Sequence, residues 1–282
     1  MKILPFTIPK PKSDSLIFQE DMGASFYGLL HQHKEIQISY IVSGEGTLIV
    51  GDTLNFYRSG DIFILGENLA HVFKSNIAKS SSSHMLSLFF TSEAFGHDFF
   101  NIEELKPLRS FFNKAEYGFG ISSNKKLVIE LFKKIQVASK LDRFILFFEL
   151  LKVINQSKHI SLSAFISSKK YTDNEGRRMS AVYEYTISNF RKPISLETIS
   201  QEAAMTKNAF CKYFRKRTNK TYITFLNELR IEESCKLMQQ PGELSITEIA
   251  EMSGFQNISN FNRKFKQIKG KTPSQYRKEI SL

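Results

Sequence analysis

Ser259, Asn260, Asn262, Arg263 and Lys266 lie on one side of a segment whose other side carries Phe261, Phe265 and Ile268. A guanidinium offers two parallel donors that match guanine O6 and N7, and a carboxamide pairs a donor with an acceptor to match adenine N7 and N6. Arg263 is the expected guanine contact, and Asn208 or Asn262 the expected adenine contact. An upstream segment has the same build, with Phe210 and Phe214 inward and Asn208, Cys211, Lys212 and Arg215 outward. Thr206, Lys207 and Asn257, at the two segment starts, complete the set of expected DNA-binding residues. For each of them the competing use is a contact with phosphate or water only, which positions a protein on DNA without reading sequence.

Such a face needs a helix held at a fixed angle to its neighbour, and the flanking residues supply the means. Ser245-x-x-Glu248 is a capping box that opens a helix with Ile246, Ile249 and Ala250 on its apolar side. Gly254 supplies a left-handed turn, Phe255 fills the angle behind it, and Asn257 caps the next helix. Gly270 ends that helix, and Thr272-Pro273 starts another. The upstream copy opens at Ser195-Leu196-Glu197 and turns at Ala204-Met205-Thr206. From the turn onward its positions match 51 residues later: Thr206 with Asn257, Phe210 with Phe261, Lys212 with Arg263, Phe214 with Phe265, Asn219 with Gly270 and Thr221 with Thr272. A helix over 222–239 joins the copies, stopped by Pro241-Gly242. At about 1.5 Å per residue it spans about 27 Å, against about 34 Å for one turn of DNA.

The pattern Ile246-x-x-Ile249-Ala250-x-x-x-Gly254-Phe255-x-x-x-x-x-Phe261-x-Arg263-x-Phe265-Lys266-x-x-x-Gly270-x-Thr272-Pro273-Ser274-x-Tyr276-Arg277 resembles the AraC/XylS family of bacterial transcription regulators. The resemblance covers the last hundred residues or so and includes the Arg230-Ile231 step in the connector. It implies two helix-turn-helix units on one long helix, acting on double-stranded promoter DNA, with a homodimer and RNA polymerase as further partners. The first copy departs from the family pattern at Ser200, Ala204 and Asn219, where the family often has Ala, Gly and Gly.

The N-terminal part carries a second group of residues with chemistry to offer. His31-Gln32-His33 precedes Gln37 and Gly44, and Gly60 and Gly66 precede His71. This spacing is similar to the two motifs of the cupin barrel, in which two His, a Glu and a later His bind a metal. Gln37 stands at the Glu position, so a metal would lose its anionic ligand. Three uses therefore compete: a vestigial site, a small-molecule pocket with His31, His33, Gln37 and His71 as polar anchors, and a metal site. Gln37 counts against a metal, so no metal and no cofactor are expected, and the vestigial and effector uses overlap, since a barrel without metal can still hold an effector at these residues. Glu35 shares a strand face with His33 and Gln37 and substitutes for the missing carboxylate only if the backbone adjusts.

Composition bounds the rest. The chain has 282 residues, 26 Phe and no Trp, so its cores should be rich in Phe. Residues 177–282 hold 19 Lys and Arg against 10 Asp and Glu, while residues 1–176 hold 20 against 18. The basic surplus sits in the C-terminal third, as a polyanion partner requires. Cys211 and Cys235 fit neither a disulfide framework nor a zinc set and suggest a reducing, cytoplasmic setting. No apolar run reaches a membrane span and no signal peptide opens the chain. No Ser-His-Asp, Cys-His or phosphate-loop arrangement points to catalysis, so no catalytic residue is expected. The enzyme alternative, a cupin-type metal-dependent enzyme fused to a DNA-binding domain, rests on the histidines alone.

The expected fold is α+β and multidomain. Residues 1–95 form an arm (1–20) and a cupin-like β-barrel, with strands at 36–42, 47–50, 61–65 and 85–90 and a Ser-rich tip at 79–83. Residues 96–158 form a helical dimerisation segment with helices over 102–112, 124–139 and 141–155. Residues 159–176 are a linker. Residues 177–282 form an all-α double helix-turn-helix domain opening with a helix over 179–190.

Overall fold

The computed structural model describes residues 14–76, 82–163, 173–239 and 244–280. The chain divides into two compact units, residues 1–176 and 177–282.

In the first unit the strands are β1 (Ile17–Gly23), β2 (Ile36–Ser43), β3 (Gly46–Val50), β4 (Thr53–Tyr57), β5 (Ile62–Leu65), β6 (His71–Ser75), β7 (Ser83–Phe90), β8 (Phe119–Ile121) and β9 (His159–Ser161). The helices are α1 (Arg109–Ala115), α2 (Lys125–Val137) and α3 (Lys140–Gln156). The ladders fall into a six-stranded sheet ordered β1-β7-β2-β5-β8-β9 and a three-stranded sheet ordered β4-β3-β6. All pairings are antiparallel. The expected barrel is thus built as two antiparallel sheets that share a core rather than as one closed ladder.

The middle of the large sheet is buried on both faces, and β2 is buried from Ile36 to Ile41 with polar Gln37 and Ser39 included. Ile36, Ile38, Tyr40, Ile62, Ile64, Leu86, Leu88 and Phe90 pack on Phe111, Phe132, Phe147 and Leu150 of the three helices. On the opposite face Ile41, Phe63, Leu65 and Met85 meet Leu48, Val50, Tyr57 and Phe73 of the small sheet. Between those apolar residues Gln37, Ser39 and Ser87 form a buried polar row, with Gln37 Nε2 donating to Ser39 Oγ at 2.8 Å and Ser39 Oγ lying 2.9 Å from Ser87 Oγ.

Several expected elements shift. Part of the segment read as an arm is β1, paired along β7 from Ile17–Phe89 to Gly23–Ser83. The start of the expected linker is β9, which adds to β8 at the sheet edge; Leu162 then enters the core, and Ser163 Oγ donates to Asp52 Oδ1 at 2.6 Å. Three-residue edge strands have too short a period to show in sequence. The helix expected over 102–112 is mostly 3-10 turns, with Pro107 inside, until α1 begins at Arg109. A proline lacks the N–H of the α ladder, which explains the late start. Residues 1–13 of the arm, 79–81 of the Ser-rich tip, 164–172 of the linker and the Pro241-Gly242 stop lie outside the described residues.

The second unit is helical: α4 (Asp173–Asn189), α5 (Leu196–Glu202), α6 (Lys207–Thr218), α7 (Tyr222–Met238), α8 (Ile246–Met252), α9 (Ile258–Lys269) and α10 (Pro273–Ile280). α4 starts six residues earlier than the 179–190 helix expected from periodicity. The starts of α5, α6, α7, α8, α9 and α10 are each capped by a side-chain oxygen, from Ser195, Thr206, Thr221, Ser245, Asn257 and Thr272 in turn. At Ser245 the capping box closes fully, Glu248 accepting from the Ser245 N–H at 2.7 Å. The two ends of α7 serve different cores. Tyr222 and Phe225 pack edge-on or tilted against Phe210, Phe214 and Tyr183, whereas Ile231, Cys235 and Met238 pack with Ile249, Phe255, Phe261 and Phe265.

Candidate nucleic-acid interface and histidine pocket

The second helix of each unit, α6 and α9, is held by its phenylalanines. Phe210, Phe214, Phe261 and Phe265 are fully buried, and each pair packs within its helix, tilted at 5.7 Å and edge-to-face at 5.6 Å between ring centres. Burial of two rings one turn apart fixes the rotation of the helix, and the opposite face must then be the wet one. Thr206, Lys207, Asn208, Cys211, Lys212 and Arg215 on the first helix are all exposed, as are Asn257, Ser259, Asn260, Asn262, Arg263 and Lys266 on the second. Thr206 and Asn257 also close the helix starts, which ties their oxygens to the N–H groups of Ala209 and Asn260. Arg263 donates to Asn260 Oδ1 at 2.8 Å, so its guanidinium lies along the exposed face rather than free in solvent. Lys216 is exposed on the same helix as Lys212, four residues after it.

The two turns differ in length, which spacing from the recognition helices alone hides. α5 and α8 begin 50 residues apart, whereas α6 and α9 begin 51 apart. The first turn is therefore one residue shorter. Both turns pass through a left-handed residue, Ala204 at φ 49° and Gly254 at φ 92°. The family-type Gly is needed at Gly254 because a Cβ there would lie 2.5 Å from the carbonyl oxygen of Phe190. Asn219 at φ 54° and Gly270 at φ 73° end α6 and α9 in the same left-handed way, each N–H bonded four residues back.

In the first unit the fold gathers His31, His33, Gln37 and His71, the four residues expected for an effector. His31 and His71 form a backbone bridge with N–H to O distances of 3.1 and 2.9 Å in the two directions. His33 is tied in by the Asn68 N–H, which donates to the His33 carbonyl at 2.7 Å. The ring centres lie 4.3 Å (His31–His71), 5.1 Å (His33–His71) and 5.9 Å (His31–His33) apart. His33, Gln37 and His71 are buried and His31 is half-buried. Burial lowers His31 to about 4, lowers His33 despite its bond to Gln37, and holds His71 well below the usual imidazole range. The imidazoles are thus neutral at physiological pH.

Each ring uses Nδ1 in the same way. Nδ1 lies 2.8, 2.8 and 2.7 Å from the carbonyl oxygens of Leu29, Glu35 and Leu69 in His31, His33 and His71. A carbonyl cannot donate, so Nδ1 carries the proton and Nε2 keeps its lone pair. The ligand atoms of the three rings all lie within 4.8 Å of one another. Gln37 Oε1 stands 3.2 Å from His33 Nε2. The three rings could hold a metal ion, while Gln37, expected to count against one, adds only a neutral amide beside His33. Glu35 is on the far side, its carboxylate 3.8 Å from His33 Nδ1, so it supports the ring instead of replacing Gln37 as a ligand.

A cavity of about 340 Å³ is lined by Asp14, Ser15, Leu16, Phe95, Lys140, Arg143 and Phe144, with none of the clustered histidines in its lining. The Asp14–Lys140 ion pair at 2.7 Å crosses it.

Residues 199–279 match the family model described as a helix-turn-helix domain. The chain is 31% identical over 104 residues to the uncharacterized HTH-type transcriptional regulator YdeC of Bacillus subtilis, a match covering 37% of this chain and 35% of that one. It is 25% identical over 265 residues to the Msm operon regulatory protein of Streptococcus mutans, covering 92% of this chain and 89% of that one. Among solved structures it is similar to ToxT of Vibrio cholerae, at 19% identity over 95% of this chain and 98% of that one, with a TM-score of 0.37. The matched stretch thus spans about a third of the first of these relatives and most of the second.

Proposed function

We propose that this chain, whose C-terminal unit is a helix-turn-helix domain of the AraC type, is a sequence-specific transcription regulator that reads promoter DNA with two recognition helices. The observation that carries the reading is the paired architecture: two capped helices, each pinned by a buried Phe pair, present exposed Lys, Arg and Asn from the basic third of the chain. In this reading Arg263 and Asn208 or Asn262 contact base edges, and Lys207, Lys212, Arg215 and Lys266 meet phosphates.

The first unit supplies regulation. A small-molecule effector is placed at His31, His33, Gln37 and His71, next to the buried Gln37–Ser39–Ser87 row. The chain works as a homodimer through the helical segment, where Val137, Leu141 and Ile145 are 85%, 70% and 59% exposed. Large aliphatic side chains so exposed within one short stretch favour a protein partner. Contact with RNA polymerase follows where the bound protein activates. A cytoplasmic location follows from a DNA partner, and among the described residues no helix is long and apolar enough to cross a membrane.

Selection of the full-length protein against random duplex DNA tests the reading. Enrichment of one motif with two half-sites about one helical turn apart supports it, and binding with no enriched motif overturns it. The effector arm is tested separately, as a change in operator affinity across a metabolite screen.

A further inference from the structure

Two cations line the cavity at the start of α3, and they are held in different ways. Arg143 is fixed at the end of α2: Nε donates to the carbonyl of Ile135 at 3.3 Å and Nη2 to that of Ala138 at 3.5 Å. Its guanidinium lies over the ring of Phe18, 5.3 Å from the centre. Its Nη1 makes no hydrogen bond among the described residues. Lys140 reaches across to Asp14 at 2.7 Å, with 80% of its side chain exposed. An ion pair so exposed holds weakly, because water screens it and two long side chains lose freedom. The lining thus sets two cations against one carboxylate, and one of the cations is readily exchanged onto another anion. The wall behind them is apolar: Phe95 meets Phe144 edge to face at 5.1 Å between ring centres, and Leu16 completes it.

A volume of about 340 Å³, within the range of small-molecule sites, joins an aromatic wall to a guanidinium already set in place. We propose that this cavity binds a small amphipathic anion, an acid group on an apolar body, with its charge between Lys140 and Arg143 and its body on Phe95, Phe144 and Leu16. The anchored guanidinium loses little freedom when an anion arrives, which is the advantage of a preorganised donor. Lys140 changes partner from Asp14 to the ligand. The site is separate from the histidine cluster. Leu16 and Phe95 pack on the core between the large sheet and the helices. His71 instead meets Phe73, at 6.5 Å between ring centres, in the core between the two sheets. The cavity and the histidines therefore belong to opposite faces of the large sheet. Binding here is read on the protein alone, so its failure leaves DNA recognition and the histidine effector untouched, and their failure leaves this site untouched.

The test is titration of the full-length protein with anilinonaphthalene sulfonate, an aromatic anion whose fluorescence rises in apolar surroundings, beside phenylnaphthylamine, the same rings without the charge. One saturable site is expected, with the sulfonate held about tenfold more tightly than the uncharged rings. Its affinity should fall as salt rises. Lys140→Gln, at an exposed position, should weaken the sulfonate by about threefold and leave the uncharged compound alone. Asp14→Asn should tighten the sulfonate, since Lys140 then has no competing carboxylate. Ser15→Phe, at another exposed position of the lining, should fill the cavity and abolish binding of both compounds. No saturable binding by folded wild-type protein overturns the proposal, as does equal affinity for the two compounds. Binding that Ser15→Phe leaves intact also overturns it, and would place the dye on the exposed Leu141 and Ile145 of α3 instead.

Discussion

Arg230 Nε donates to the carbonyl oxygen of Phe190 at 2.8 Å, which ties the middle of α7 to the chain leaving α4. The same guanidinium donates to the carbonyl of Lys192 at 2.9 Å and lies over the ring of Phe255, 5.9 Å from its centre. Phe255 belongs to the second turn, so one side chain spans the joint between the two halves of the helical unit. Arg191 pairs with Glu233 beside it.

Arg230→Met is therefore expected to cost about 1–3 kcal/mol, because two carbonyls lose a charged donor. Denaturant unfolding of the full chain should show it as an earlier transition for the helical unit. Operator affinity should fall as well, since the recognition helices lose their fixed relation. An unchanged midpoint would remove Arg230 from this role.

The two turns predict opposite responses to glycine and alanine. Ala204 holds a left-handed backbone that costs an L-residue roughly 1–2 kcal/mol. Ala204→Gly should relieve that strain, offset in part by the extra freedom of glycine in the unfolded chain, for a net gain of up to about 1 kcal/mol. Gly254→Ala should destabilise by more than that, because strain adds to a Cβ 2.5 Å from Phe190 O. Thermal unfolding of both variants checks the sign; two shifts in the same direction would contradict the turn assignment.

Arg263→Ala should relax preference at one operator position and cost about 1–3 kcal/mol there. Lys266→Ala should instead weaken all sequences alike and reduce the slope of affinity against salt by about one. Binding measured over a panel of single-base operator variants at several salt concentrations separates the two. A uniform loss for Arg263→Ala would assign it to phosphate.

In metal-free protein the histidine cluster should make the first unit acid-labile. Burial lowers His31 from 6.5 to about 4, so below pH 6.5 the unfolded chain takes up a proton that the folded one refuses. Stability from this group is complete above pH 6.5 and is lost as pH falls toward about 4. His33 and His71 are shifted the same way. Unfolding midpoints followed from pH 8 to pH 4, roughly the range over which such groups titrate, should fall most steeply in the lower half. His31→Gln should flatten the profile, and a profile unchanged by the substitution would dismiss His31 as its source.

Much of the helical second unit was legible because its signals are local. A cap joins residues three apart, as from Ser245 to Glu248, and a Phe pair spans one helical turn, as from Phe261 to Phe265. Such contacts form wherever the helix forms, and so the types and order of residues determine them. The repeat was legible in the same way, although one missing residue in the first turn emerged only when the helix starts of both copies were placed.

The first unit was different. β1 and β9 are recruited to sheet edges by partners far away in the chain, and nothing in their own composition demands it. The sequence named His31, His33, Gln37 and His71 but could not say which ring nitrogens face one another. Three carbonyls and a bridge spanning forty residues decide that. Residue identity is set by the chain, whereas the direction of a lone pair depends on register between distant strands, and only the tertiary structure fixes that register.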